Sequence, residues 1–103
     1  GRADQTKKVK GMFVQPSQIN QILENLKIKN NARMIVSRQN NRDEILLKIE
    51  SNLSNSSEVE AIQNKVSEEI KNIINLRGTS EIVPINSLPN DGKVIDDIRD
   101  FGE

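Results

Sequence analysis

The sequence of 103 residues contains no cysteine and no histidine, and these two absences exclude several kinds of site. Without cysteine there is neither a disulfide framework nor a thiolate metal site. Without histidine the chain lacks the commonest metal ligand and the commonest general base near neutral pH. We therefore expect no metal site in this chain.

Aromatic residues, excess charge and long apolar runs are also scarce. Phe13 and Phe101 are the only aromatic residues, which is too few for the base-stacking sheet of RNA-recognition domains. Fifteen basic residues balance fifteen acidic ones, which argues against a general polyanion binder. No apolar run approaches the roughly 20 residues of a membrane span. The composition predicts a single cytoplasmic domain that binds neither nucleic acid nor membrane.

The first half of the chain alternates between strand and helix patterns. The basic segment 7–14 is typical of a strand, and Pro16 suits the first turn of a helix. Apolar residues then recur at helical spacing at Ile19, Ile22, Leu23 and Leu26. The segments 32–38 and 43–51 are β-rich and flank "QNNR", in which asparagines can adopt positive φ in a tight turn. A β-hairpin is predicted here.

The second half predicts a long helix and a last strand. Ser57 and Glu60 form a possible capping box before a long amphipathic helix, and Gly78 is predicted to follow its end as the C′ residue. The segment 80–85 is predicted to be a strand, and Pro84 indicates that the strand lies at an edge. The segment after it is rich in turn residues.

The order β-α-β-β-α-β predicts an α+β, ferredoxin-like domain with two helices on one face of an antiparallel sheet. Such a fold hosts many functions, so it decides none. A stand-alone regulatory module, such as an ACT-like domain that binds a small molecule, remains an alternative. That alternative predicts a complete gene of about this length.

Three charged features have both a functional and an ordinary interpretation. Gly92 and Lys93, in "LPNDGKVID", can present an ammonium to a phosphate or carboxylate, although most surface pairs of this kind are solvated turns. Arg2 and Asp4 by themselves are charges near a terminus. The lysines at positions 7, 8 and 10 are, without further context, a solubilising edge strand.

Taken together, these segments resemble one protein family. "GRADQTKKVKGMFVQPSQI" is similar to the hinge motif of adenylate-forming CoA ligases, and most of all to that of phenylacetate–CoA ligases and their aryl-CoA relatives. "LPNDGK" (88–93) resembles the closing Gly-Lys motif of the family, and "SRQNNRDEILLKIE" resembles its hairpin. The resemblance covers nearly the whole chain, with two motifs in the right order.

The resemblance implies that residues 1–103 are the C-terminal lid domain of such a ligase, with the hinge motif at 1–16 and the lysine loop at 88–96. The large N-terminal domain would be its main partner. The family makes an acyl-adenylate and pyrophosphate from ATP and a carboxylic acid, with Mg²⁺ accompanying ATP. CoA then converts the adenylate to a thioester and AMP. We expect no cofactor bound to this domain alone and no turnover by it.

The resemblance also implies roles for individual residues. Lys93 matches the catalytic lysine of adenylation, Asp4 the hinge about which the domain rotates, and Arg2 an arginine near the nucleotide ribose. Gly11 matches a glycine beside the pantetheine channel of CoA. Its ordinary interpretation is a bulge or twist within a strand.

The resemblance leaves some details open. Lys8 and Lys10 would lie beside the CoA channel and could meet CoA phosphates, or could simply be solvated. Asp96, Asp97 and Asp100 could hold Lys93 in a resting ion pair, or could be exposed. The resemblance favours phenylacetate and hence phenylacetate catabolism, whereas indole-3-acetate, other aryl acids and a coenzyme-adenylating relative remain open.

Overall fold

The computed structural model describes residues 6–89 and 94–99, which form an α+β domain. Along the chain lie β1 (Lys7–Val9), β2 (Met12–Val14), α1 (Pro16–Asn25), β3 (Ala32–Gln39), β4 (Arg42–Glu50), α2 (Ser56–Ile74), β5 (Thr79–Val83) and β6 (Ile95–Asp97). The predicted α+β, ferredoxin-like class is confirmed. Neither helix is long and apolar enough to cross a membrane.

The main sheet has the strand order β5-β4-β3-β6 and is mixed. β3 and β4 pair antiparallel, but β5 lies parallel to β4 and β6 lies parallel to β3. The expectation of a purely antiparallel sheet was therefore wrong. The physical reason is that α2 returns the chain to the end of the sheet where β4 began, as a helical crossover does between parallel strands. The predicted edge position of the strand before Pro84 is confirmed, because β5 is an outer strand.

The basic segment 7–14 forms a separate two-stranded hairpin and not a single strand. Val9 pairs with Met12, so Lys10 and Gly11 are the two turn residues. Both have positive φ, 52° and 82°, as the two-residue hairpin turns that match strand twist require. The glycine at the second turn position is what allows the chain to reverse here.

The predicted hairpin between β3 and β4 is confirmed, together with its asparagine turn. Asn40 and Asn41 have φ of 53° and 64°, and Gln39 pairs with Arg42 across them. Asparagine tolerates this left-handed region better than most residues because its short side chain can bond to the nearby backbone.

Both helices form where apolar periodicity predicts them, but the caps of α2 differ from expectation. Asn55, and not Ser57, caps its start: the Asn55 side chain accepts hydrogen bonds from Ser57 N at 2.8 Å and Glu58 N at 3.3 Å. The helix ends at Asn75, whose φ is 67°, three residues before Gly78. The predicted Ser57–Glu60 box and Gly78 end were wrong because asparagine is the alternative residue at both kinds of cap.

The helices and the inner face of the sheet enclose one apolar core. The fully or nearly fully buried residues are Val9, Val14, Ile19, Ile22, Met34, Val36, Ile45, Leu47, Ile49, Val66, Ile70, Ile74, Leu76 and Ile95. The alternate residues of β3 and β4 point to the outer face of the sheet, as strand geometry requires. The core also includes Val9 and Val14 of the small hairpin, so that hairpin is packed against the rest of the domain.

Gly78 gives the first testable prediction. A Cβ at this position would lie 2.9 Å from Ile70 Cγ2 and 3.0 Å from Ile45 Cγ1. Because both isoleucines are buried in the core, we expect Gly78→Ala to lower the free energy of unfolding by about 1–3 kcal/mol, the usual cost of overpacking. Chemical denaturation of the domain measures this.

The matched control is Asn75→Gly, since this position has the left-handed backbone that glycine adopts freely. We expect that change to alter the stability by less than about 0.5 kcal/mol. An equal loss in both variants would contradict the close contact at Gly78.

Candidate functional site

The structure describes only some of the residues that the sequence singles out. Lys8, Lys10 and Gly11 lie on the small hairpin. Arg2, Asp4, Gly92, Lys93 and Asp100 lie outside the described residues. Pro89 and Val94, which flank residues 90–93, are described. The backbone oxygen of each accepts a hydrogen bond from a residue of β3.

Gly11 occupies an exposed turn, which differs from the expected position within a strand. A Cβ built on Gly11 would meet no atom within 4 Å. The backbone, with φ of 82°, therefore accounts for glycine here, and crowding by the domain itself does not. The turn is left open on the side where a side chain would project, so another molecule has room to approach its backbone.

The two lysines of this hairpin have different surroundings. Lys8 Nζ lies 5.9 Å from the centroid of the Phe13 ring, which is within the range of a cation–π contact. Lys10 instead lines an open groove of about 850 Å³ with three further cations, Arg42, Lys71 and Arg77. The remaining lining comes from residues of β4, α2 and the start of β5.

The groove is positive overall among the residues described. Asp43, Glu44 and Glu68 also line it, so four cations face three carboxylates. Asp43 is already bonded to two arginines outside this set, Arg38 and Arg99, at 2.9 Å each. The surplus of cations makes the groove suited to an anionic group, because phosphate and carboxylate oxygens accept charge-assisted hydrogen bonds from lysine and arginine.

Arg99 connects the end of the chain to this hairpin and to β4. Its guanidinium contacts Asp97 Oδ2 at 2.7 Å and Asp43 Oδ2 at 2.9 Å, and it donates to the backbone oxygen of Lys8 at 3.0 Å. The Arg99 side chain is only 5% exposed. A buried guanidinium is tolerated because its donors are matched by two carboxylates and a carbonyl. We call the three residues Asp43, Asp97 and Arg99 the arginine junction.

The arginine junction shifts the pKa values of its members in the directions expected of ion pairs. The hydrogen bond from Arg38, with further bonds and charge from Arg99, lowers the pKa of Asp43 below its ordinary value. The hydrogen bonds of Arg99 lower the pKa of Asp97. The hydrogen bond to Asp97, with help from Asp43, raises the pKa of Arg99. All three groups are therefore charged at neutral pH.

The segment that leads to residues 90–93 is anchored on the outer face of the sheet. Leu88 N donates to Glu50 Oε2 at 3.0 Å, and Arg33 Nη2 donates to Pro89 O at 3.3 Å. On the far side of the segment, Met34 N donates to Val94 O at 2.7 Å. The backbone on both sides of residues 90–93 is thus tied to β3 or β4.

Asp96 and Asp97, which follow Lys93, have arginine partners that the sequence did not predict. Asp97 is bonded to Arg99, as above, and Asp96 Oδ2 lies 4.0 Å from Arg33 Nη1. Sequence reasoning left Asp96 and Asp97 as partners of Lys93 or as exposed residues, and it overlooked Arg33, Glu50 and Arg99. The one available signal was the position of Arg33 and Glu50 directly beside apolar residues of the two predicted strands.

β6 joins two separate parts of the domain. Its preceding residue, Val94, bonds beside the start of β3, whereas Arg99 reaches Lys8 near the other end of the sheet. Five residues in extended conformation span roughly 16 Å. The structure therefore does not bring the Lys10–Gly11 turn and the neighbours of Lys93 together. Among the described residues, no cluster of three or more carboxylates could hold a metal ion.

Comparison with known families identifies the class of the domain. Residues 11–100 match the model of the AMP-binding enzyme C-terminal domain. Because this match covers most of the chain, the chain belongs to that family. Among curated proteins no match was found.

Solved structures show the same fold. The domain is similar to a domain of phenylacetate–coenzyme A ligase from Bacteroides vulgatus, with a TM-score of 0.82 and 23% identity over 98% of this chain and 99% of that one. It is also similar to 2-hydroxyisobutyryl-CoA ligase in complex with 2-HIB-AMP and CoA in the thioesterification state, with a TM-score of 0.78 and 22% identity.

The same ligase in its postadenylation state gives a TM-score of 0.72 at 22% identity. The chain covers nearly the whole ligase domain from Bacteroides vulgatus but 22% of the 2-hydroxyisobutyryl-CoA ligase. The chain is thus a C-terminal domain of the adenylate-forming CoA ligase kind, which is not the ACT-like module considered as the alternative.

The arginine junction gives a pH prediction. Folding lowers the pKa values of Asp43 and Asp97, so their contribution to stability is fully present above their unfolded pKa of about 4 and is lost as the pH falls through the lower folded values. We expect the free energy of unfolding to decrease below about pH 4, and to decrease less steeply in Asp97→Asn. Denaturation between pH 2 and 7 measures both slopes.

The control for this prediction is Glu60→Gln on the exposed face of α2, which is expected to keep the wild-type slope. If Asp97→Asn showed the wild-type acid slope as well, Asp97 would contribute nothing to the pH dependence.

Proposed function

We propose that this chain is the mobile C-terminal domain of an ATP-dependent aryl-CoA ligase. The observation that carries the proposal is the family match over residues 11–100, supported by the fold shared with a phenylacetate–CoA ligase domain. The complete enzyme would convert an aryl carboxylic acid, with phenylacetate as the first candidate, ATP and CoA to the acyl-CoA, AMP and diphosphate. The domain alone would not turn over.

The reaction takes place in two steps that make different demands on the domain. In the first, a carboxylate oxygen attacks the α-phosphorus of ATP, and the bond to the leaving pyrophosphate breaks. In the second, the CoA sulfur attacks the acyl carbon, and AMP leaves with the electron pair of the broken C–O bond. Mg²⁺ bound to ATP would offset part of the negative charge of the phosphates.

In the adenylation step, Lys93 is the catalytic residue of the proposal. Negative charge spreads over the carboxylate and phosphate oxygens as they approach, and an ammonium between them stabilises that arrangement and aligns the reactants. Arg2 would approach the nucleotide near its ribose. Lysine is suited to the task because its compact charge is carried on a long stem.

In the thioester-forming step, the Lys10–Gly11 turn is the proposed CoA-facing surface after rotation about Asp4. The open side of Gly11 leaves room for the pantetheine arm, and Lys10 opens onto the positive groove. Lys10 is therefore the better candidate for a CoA phosphate. Lys8 is the weaker one, because its ammonium lies over Phe13.

The separation of the two surfaces supports this division of roles. The neighbours of Lys93 lie beside the start of β3, and the Lys10–Gly11 turn lies beside the start of β4. These two positions are at opposite ends of the hairpin that β3 and β4 form. A domain with its two functional surfaces at opposite ends must rotate to present each one to the same active site. Such rotation requires a hinge of a few residues, and Asp4 is the proposed one.

The experiment that tests the proposal is Lys93→Ala in the full-length ligase that contains this domain. We expect adenylation, measured as pyrophosphate release from ATP and phenylacetate, to fall by about 10²–10³-fold, as for removal of one preorganised charged donor. Thioester formation from supplied acyl-adenylate and CoA should persist. Equal loss in both half-reactions would refute the assigned role of Lys93.

A side chain added at Gly11 is expected to impair thioester formation and to spare adenylation, the reverse of the effect expected for Lys93→Ala. Asparagine adopts positive φ at little cost, so Gly11→Asn adds a side chain while keeping the turn. We expect thioester formation to fall by at least about tenfold, a barrier increase of about 1.4 kcal/mol, while pyrophosphate release and the melting temperature are retained. Unchanged thioester formation in a variant of unchanged melting temperature would show that Gly11 does not face CoA.

A further inference from the structure

Two charged side chains are buried on the outer face of the sheet, where nothing in the proposed reaction uses them. Arg33 on β3 is 6% exposed and Glu50 on β4 is 3% exposed. Burial of a charged group in a protein is costly unless hydrogen bonds and opposite charges replace its water. Their partners therefore indicate what these two residues are for.

Both side chains bond to the backbone of the segment that crosses from β5 to β6. Glu50 Oε2 accepts from Leu88 N at 3.0 Å, and Arg33 Nη2 donates to Pro89 O at 3.3 Å. Both bonds involve a charged partner, which makes them stronger than bonds between neutral groups. Together they fix two consecutive residues of the crossing segment.

The position of the two anchors follows from the sheet register. Arg33 pairs with Lys48, so Glu50, two residues further along β4, projects from the same face. β5 and β6 occupy opposite edges of the sheet, and the chain between them must therefore pass β4 and β3. Glu50 and Arg33 meet it in that order, on the two central strands.

The contacts on the other side of residues 90–93 complete the arrangement. Val94 O accepts from Met34 N at 2.7 Å, and Met34 directly follows Arg33 in β3. Asp96, two residues beyond Val94, lies 4.0 Å from Arg33 Nη1. One short stretch of β3 thus holds the chain both before and after the segment that contains Lys93.

We propose that Arg33 and Glu50 are positioning residues for the adenylation lysine. The inference rests on the proposed function, in which Lys93 acts on ATP and the carboxylate. By fixing Leu88 and Pro89 against β4 and β3, the two side chains set the point on the sheet from which the chain continues toward Lys93. A displacement of about 1 Å in a reacting group can reduce a rate by as much as 10²-fold, so anchors of this kind control the adenylation rate without touching substrate.

The test uses the full-length ligase and measures the two half-reactions separately. We expect Glu50→Ala to reduce pyrophosphate release by about 10- to 100-fold, while thioester formation from supplied acyl-adenylate stays within about twofold of wild type. Glu50→Gln keeps an oxygen that can accept from Leu88 N, and it should restore most of the adenylation rate. Glu81→Ala, an exposed carboxylate on neighbouring β5, is the matched control and should change neither half-reaction.

A double variant distinguishes this inference from the proposed function. If Glu50 acts through Lys93, then Glu50→Ala should cause no further loss of adenylation in a Lys93→Ala background, because coupled residues are not additive. A full additional loss in the double variant would overturn the positioning role. Failure of Lys93→Ala to affect adenylation at all would instead overturn the proposed function.

Arg33→Met provides a second variant in case Glu50→Ala does not fold. Methionine keeps an unbranched apolar stem while the bond to Pro89 O is lost, and the same selective loss of adenylation is expected. Equal losses in both half-reactions, or loss of folding in both variants, would show that the pair serves stability alone and would overturn the inference.

Discussion

The antiparallel pairing of β3 with β4 is the contact on which the other elements of the domain depend. The ladder runs from Ala32 opposite Ile49 to Gln39 opposite Arg42. β6 and β5 each add to one side of it, and the helices cover its inner face. A shift of β4 by one residue against β3 would turn the side chains of β4 to the opposite face. Leu47 would then leave the core, and Glu50 would leave the crossing segment.

The segments that cover the two faces of the same ladder explain how charged groups come to be buried. Arg33 and Glu50 lie under the β5–β6 connection, and Arg99 lies between β4 and the small hairpin, where it meets Asp43 and Asp97. In each case the charge bonds to a main-chain atom of a segment outside the β3–β4 ladder. These charges therefore connect irregular segments to the sheet, a role that apolar contacts fulfil less specifically because they lack direction.

In the proposed function, this arrangement gives one small domain two separate surfaces, one for each step of the reaction. The strand β6 connects Val94, beside the start of β3, to Arg99, which bonds to the hairpin that carries Gly11. The fold is shared with 2-hydroxyisobutyryl-CoA ligase in both its thioesterification and its postadenylation state. In the proposed reaction the domain keeps its internal contacts and changes only the surface that it presents.

The sequence by itself determined the elements whose signals are local. Apolar periodicity located α1 and α2, the two asparagines located the β3–β4 turn, and the Gly-Arg and Gly-Lys motifs indicated the family. Local signals did not reveal the turn at Lys10–Gly11, because a two-residue reversal within eight residues leaves the alternation of a strand nearly intact. The caps of α2 were also misassigned, since several neighbouring residues at each end of the helix are of types that can cap it.

Only the tertiary structure decided the strand directions, the arginine junction and the anchors at Arg33 and Glu50. Strand direction depends on the end of the sheet to which the preceding connection returns the chain, and no residue of β5 or β6 encodes it alone. Arg99 meets Asp43 across 56 positions, and Glu50 meets Leu88 across 38. An isolated charge in a sequence predicts solvent exposure, and it becomes a buried anchor only when a distant segment folds over it and replaces its water.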